Sequence, residues 1–155
     1  MANDAIQFLV QPSPNYGSDP PAEIAPIVNG LHLSDLIEQF EQSLGFKPAG
    51  GYGGIVLDYF WQGSLMDYFL GAKGHDYWER IGKITLLACG GCGDEGCWPL
   101  EAKVDVSESH VKWSNFGQPH RNDRDYSEFG PFVFGRPEYE KAVEIAAIAM
   151  RPYRR

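Results

Sequence analysis

A chain of 155 residues is long enough to bury ~70% of the surface its unfolded form exposes, so it can fold as one domain without a disulfide scaffold. A hydrophobic share of 43%, with nine Phe, eight Tyr and four Trp, excludes the composition of a disordered chain. Thirteen Lys and Arg against twenty-one Asp and Glu give a formal net charge of −8, which repels a phosphate backbone and argues against nucleic acid as the partner. No apolar run approaches the ~20 residues of a membrane span, and "MANDAIQFLV" lacks a basic segment ahead of an apolar core. The expectation is a cytoplasmic protein that makes no membrane contact. The basic tail "RPYRR" is read as a solvated end.

In chain order, residues 11–26, "QPSPNYGSDPPAEIAP", carry five prolines and little periodicity, and read as a surface loop. Asn29 and Gly30 lie between short apolar runs and tolerate the positive φ of a two-residue type I′ turn, which predicts a hairpin. Leu36, Ile37, Phe40 and Leu44 share a helical face over 35–44, with Asp35 and Glu38 at capping-box spacing and Gly45 as a stop. "KPAGGYGG" gathers glycines around Tyr52 without the lysine of a phosphate loop, and reads as a structural turn. A short helix is expected over 64–70.

Residues 83–89, "KITLLAC", form a continuous apolar run; 98–106 alternate Trp98, Leu100, Ala102, Val104 and Val106 against charged residues; 110–117 set Val111 and Trp113 on one face. These predict a three-stranded antiparallel meander. "PFVF" offers a last strand, and a closing helix over 137–150 has Pro137 in its first turn and Tyr139, Val143, Ala146, Ala147 and Met150 on one face. The class expected is α+β, a mainly antiparallel sheet packed by helices, in a single domain over 1–155.

All three cysteines fall in "CGGCGDEGCWP", Cys89 to Pro99, on the connection between the first two strands of the meander. An odd, clustered set of cysteines does not resemble a secreted disulfide framework and favours reduced thiols or metal thiolates. If the third strand runs antiparallel to the second, Gly117 lies beside Trp98 and His120 leaves the sheet at the cysteine edge. His110 then starts the same strand about 25 Å away. Cys89, Cys92, Cys97 and His120 would supply three sulfurs and an imidazole, a ligand set for tetrahedral zinc. Reduced cysteines packing a glycine-rich turn are the plainer reading. A Cys97–His120 dyad is the catalytic one, opposed by Asp94 and Glu95, which disfavour the thiolate.

The segment "QPHRNDRD" is too polar to bury and must be a loop, whereas Trp113 and the phenylalanines of "PFVF" read as core. Arg121 and Arg124 are expected to pair with Asp123, Asp125 or Glu128. Trp98, His120, Arg121 and Arg124 are the candidate binding residues, since aromatic and arginine anchors mark interfaces.

The chain resembles a bacterial protein family at "NG" and Leu33 (Asn29, Gly30), at Gly51–Tyr52, and at "CG..GCWP" (Cys92, Gly93, Gly96 to Pro99). The likeness continues at "W..F.QPHR" (Trp113, Phe116, Gln118 to Arg121) and at Phe132, Phe134 and Tyr139. It spans most of 27–148 and implies no activity. This chain departs from it in placing two residues, not one, between Cys89 and Cys92.

The residues together favour a binding protein over an enzyme. Its docking edge is formed by the cysteine loop and "QPHR", with zinc as the candidate ion and a protein of basic surface as the candidate partner. The alternative reading is a thiol-dependent enzyme using Cys97 and His120, and a homo-oligomer is compatible with either.

Overall fold

A computed structural model describes residues 3–13, 18–57, 63–71, 83–89, 99–119, 121 and 123–153. The chain forms β1 (Ile6–Pro12), β2 (Ala22–Val28), β3 (Leu31–His32), α1 (Leu33–Ser43), β4 (Tyr52–Gly53) and α2 (Leu65–Phe69). It continues through β5 (Lys83–Cys89), β6 (Leu100–Val106), β7 (His110–Gly117), β8 (Phe132–Gly135) and α3 (Arg136–Met150), then a 3₁₀ turn at Arg151–Tyr153. The expected α+β class is observed: among the described residues, three helices accompany a three-stranded sheet, β1-β2-β3, and a five-stranded sheet, β4-β5-β6-β7-β8, both antiparallel.

Two isolated bridges link the sheets. Ile24 of β2 exchanges both backbone hydrogen bonds with Ile55, just after β4, at 2.8 and 2.9 Å, and Asp4, just before β1, bridges Phe134 of β8. Each edge of the five-stranded sheet is thus tied to the smaller one, and strand pairing runs in a closed cycle. Such closure satisfies edge N–H and C=O groups that would otherwise face solvent.

The proline-rich stretch 11–26 is not a loop throughout, because Ala22–Val28 pairs with Ile6–Pro12 as β2. Pro26 sits inside that strand without breaking it. Ile24 directs its amide away from β1 toward Ile55, and Pro26, two residues on, directs its ring nitrogen the same way. That position falls between the Ile55 bridge and the two-residue β3, where no ladder bond needs a donor.

The Asn29-Gly30 hairpin is observed between β2 and β3, with φ of 54° and 81° as a type I′ turn requires. Helix α1 begins at Leu33 with His32 as its N-cap and no side-chain cap bond, so Asp35 and Glu38 do not form the expected capping box. Its C-terminus closes on Gly45 as expected. Gly45 has φ +74°, and the amides of Gly45 and Phe46 donate to the carbonyls of Gln42 and Glu41 in a Schellman motif. In α2, the Ser64 hydroxyl accepts from the Asp67 amide at 3.0 Å.

The meander runs up, down and up as predicted, with β6 starting at Leu100 rather than residue 98. Val106 pairs with Val111 and Lys103 with Ser114, but Glu101 pairs with Gly117. One extra residue on β7 therefore bulges opposite Ala102, where Asn115 takes φ +51°. The expected pairing of Gly117 with Trp98 is replaced by this shifted one. The bulge also changes which side chains turn inward: Val111 and Trp113 are buried before it, Phe116 and Gln118 after it.

One hydrophobic cluster draws on both sheets and all three helices. At its centre Trp113 packs against Phe134, Phe8 and Tyr139, its Nε1–H donates to the Tyr139 hydroxyl at 3.1 Å, and that hydroxyl donates to the Phe69 carbonyl at 2.6 Å. Burial pushes the Tyr139 phenol well above its ordinary value. On α3 the buried face includes Tyr139, Val143, Ala146 and Met150 as expected, while Ala142 replaces Ala147.

Candidate functional site

The site is built around a carboxylate inside the fold. On α1, Leu33, Ile37 and Glu41 occupy successive i, i+4 positions and all three are buried, whereas Leu44 is 50% exposed. The inward face is thus rotated from the one the apolar residues predict, and an acid completes it. Burying a carboxylate is costly unless donors replace its water.

Four groups do so. The Gly50 amide donates to Oε1 of Glu41 at 2.8 Å. The hydroxyls of Tyr52 and Tyr126 donate to Oε2 at 2.7 and 2.6 Å, and Nη1 of Arg124 reaches the same oxygen at 3.2 Å. Gln118, turned inward by the bulge in β7, donates through its side-chain amide to the Tyr52 hydroxyl. The four donors arrive from three parts of the chain. Gly50 sits at φ +74° in the glycine-rich turn; Tyr52 is in β4; Arg124 and Tyr126 lie in the segment after β7.

Burial, then the bond to Glu41, raises the phenols of both Tyr52 and Tyr126 above their ordinary value. They are fixed as neutral donors at physiological pH. With three donors on Oε2 and one on Oε1, Glu41 has little acceptor capacity left for abstracting a substrate proton. The network is therefore a clamp that joins α1, β4 and the 118–126 segment.

Arg124 connects the clamp to the surface. Its Nη2 donates to the Pro48 carbonyl at 2.8 Å, and its guanidinium lies 5.1 Å from the centre of the Phe46 ring. It does not pair with Asp123, Asp125 or Glu128 as the local sequence suggests. Asp125 instead accepts from the Ser127 amide at 2.9 Å, and that bond holds its carboxyl below the usual range. Two consecutive i to i+3 bonds, from Arg121 N to Gln118 O and from Arg124 N to Arg121 O, carry the backbone around so that both arginines reach one cleft. That cleft, about 510 Å³, is lined by Phe46, Lys47, Pro48, Arg121, Asp123 and Arg124, together with Gly45. A smaller hollow of about 260 Å³, bordered by Phe8, Leu9, Ile27, Ala142 and Ile145, is apolar and offers only Gln7 as a polar side chain.

Of the candidate residues, Arg121 and Arg124 are brought together. Cys89 ends β5, its backbone paired with Tyr52, so the strand entering the cysteine loop lies against the clamp. The ends of β5 and β7 and the start of β6 share one edge of the sheet. Cys92, Cys97, Trp98 and His120 lie outside the described residues, as do Asp94, Glu95 and His75. Among the described residues, no cluster of three or more His, Cys, Asp or Glu could hold a metal ion. His110 is at the opposite end of β7, paired with Gly135 and hydrogen-bonded to Ser109 at 2.7 Å.

Glu41, Tyr52, Gln118 and Tyr126 were not indicated as site residues by the sequence. The available signal was an acid four residues after Ile37, in line with the inward face of an amphipathic helix. Among the described residues, no helix is long and apolar enough to cross a membrane. No protein-family model, curated protein or solved structure matches this chain.

Proposed function

We propose that this protein is a binding module that docks a protein partner through the rim formed by the α1 C-terminal turn, the 118–124 segment and the cysteine loop. One observation carries this reading: Arg121 and Arg124, both candidate binding residues of the sequence, open on a single cleft with Lys47, and Arg124 is backed by a donor-saturated carboxylate. An arginine wall held by Glu41, the Pro48 carbonyl and the Phe46 ring suits recognition, because Arg124 has little side-chain entropy left to lose on contact. At longer range, the net charge of −8 would favour encounter with a partner of basic surface in the cytoplasm. Zinc held by Cys89, Cys92, Cys97 and His120 would brace the same rim.

The test compares proteins retained by the full chain, by Lys47→Glu combined with Arg121→Ala, and by Lys141→Glu on exposed α3 surface. A partner held by the wild type and the α3 variant but lost by the double variant supports the reading. Equal retention by all three overturns it. Native mass with and without acid reads zinc, and rapid alkylation of Cys97 below pH 7 would favour instead the thiol-dependent enzyme using Cys97 and His120.

A further inference from the structure

We propose that the cleft over Lys47, Arg121 and Arg124 is an oxyanion site that accepts a carboxylate or phosphate group, which rests on reading this cleft as the docking surface. Its lining carries three cations and one acid, Asp123, in a chain whose formal net charge is −8. The local charge is thus opposite in sign to that of the molecule. An anion far from the protein is repelled, but one inside the cleft faces cations closer than the Debye length of ~8 Å at physiological salt.

The three cations have different duties. The Arg124 side chain is only 7% exposed and is fixed by Glu41, by the Pro48 carbonyl and by Phe46. Its charge is largely met by Glu41, so it serves as a rigid wall. Lys47 is exposed and Arg121 half-buried, and both side chains line the cleft. Arg121 is positioned by the two successive turns that begin at Gln118, and Lys47 follows the Schellman turn at Gly45. The backbone that carries both cations is therefore held by bonds that form without any ligand, which lowers the main-chain part of the ordering cost of binding. Asp123 opposes the anion and sets an upper limit on affinity. A volume of about 510 Å³ accommodates one such group with part of the molecule that bears it.

The experiment is a thermal and NMR titration of the full chain with sodium phosphate and with sodium acetate, against sodium chloride at matched ionic strength. Chloride is the necessary control because any salt screens the self-repulsion of an acidic protein. The expected result is a saturable stabilisation beyond chloride, with amide shifts centred on Lys47, Arg121 and Asp123. Lys47→Met and Arg121→Met should each weaken binding by about fivefold, and Asp123→Asn should tighten it by a similar factor. Response to phosphate alone or acetate alone supports the site and identifies which oxyanion it takes. A response equal to that of chloride, or titrations unchanged in both cation variants, overturns it. Loss of partner retention in the double variant without anion binding would leave the docking surface standing and remove only its oxyanion chemistry. Anion binding with unaltered retention would do the reverse.

Discussion

Nη1 of Arg124 lies 3.2 Å from Oε2 of Glu41, and both side chains are buried although 83 residues of chain separate them. This pair joins the helix after the first sheet to the segment after β7. Neither partner has an adequate substitute for the other. The clamp's energetic role follows from what each would leave behind if its partner were removed.

Replacing Glu41 with Leu leaves the Arg124 guanidinium, two tyrosine hydroxyls and the Gly50 amide without their acceptor. The expected destabilisation is about 3–5 kcal/mol, the usual cost of breaking one side of a buried pair. Urea unfolding measures it. The double variant Glu41→Leu, Arg124→Leu should lose less than the sum of the two single changes, since no charge is then stranded.

The alkaline limb of stability should fall early. The Tyr139 phenol is raised in the folded state, so its unfolded form loses a proton near pH 10 while the folded form keeps it. The contribution is fully present below pH 10 and declines above it, by about 1.4 kcal/mol per pH unit for this fully buried group. Tyr52 and Tyr126 act in the same direction. Phenolate absorbance should show these three ionising together with loss of the near-ultraviolet circular dichroism. Titration of all eight tyrosines as independent exposed groups before unfolding would contradict the buried network.

The hairpin turn separates backbone from side-chain effects. Asn29 holds φ +54°, its Oδ1 accepts from the Ala5 amide at 2.8 Å and its Nδ2 donates to Asp4 at 3.0 Å. Asn29→Ala loses both the tolerance of that conformation and the two bonds, and should cost about 1–2 kcal/mol or more. Asn29→Gly keeps the backbone and loses only the bonds, so its midpoint in urea should lie between those of wild type and the alanine variant.

Gly54 marks the point where the two sheets approach. A Cβ there would stand 2.7 Å from the Ile24 carbonyl oxygen, which is backbone and cannot swing aside. Gly54→Ala should separate the Ile24–Ile55 bridge and cost about 1–3 kcal/mol. Hydrogen exchange at the Ile24 and Ile55 amides reports whether the loss is local to that bridge. Protection unchanged at both would refute the close approach.

Local patterns in the chain were sufficient for the meander, the Asn29-Gly30 turn, the Gly45 stop and the first turn of α3, because each depends on residues within a few positions of one another. Alternation also placed Val111 and Trp113 in the core correctly. It failed beyond Ser114, where a single extra residue reversed the side-chain phase and delivered Phe116 and Gln118 to the interior. Pro26 gave a comparable error: proline usually signals a loop, yet its missing donor falls where the neighbouring strands leave a gap.

The amino-acid order by itself determined the fold class and singled out Arg121 and Arg124 as candidate binding residues. Only the tertiary structure decided what Arg124 holds. Arg124 passes over three acids within four residues of it and takes Glu41 instead, because the α1 face buries that carboxylate where Gly50, Tyr52 and Tyr126 also converge. Nearness along a chain sets which pairs are available cheaply, whereas a charge removed from water goes to whichever partner is buried beside it.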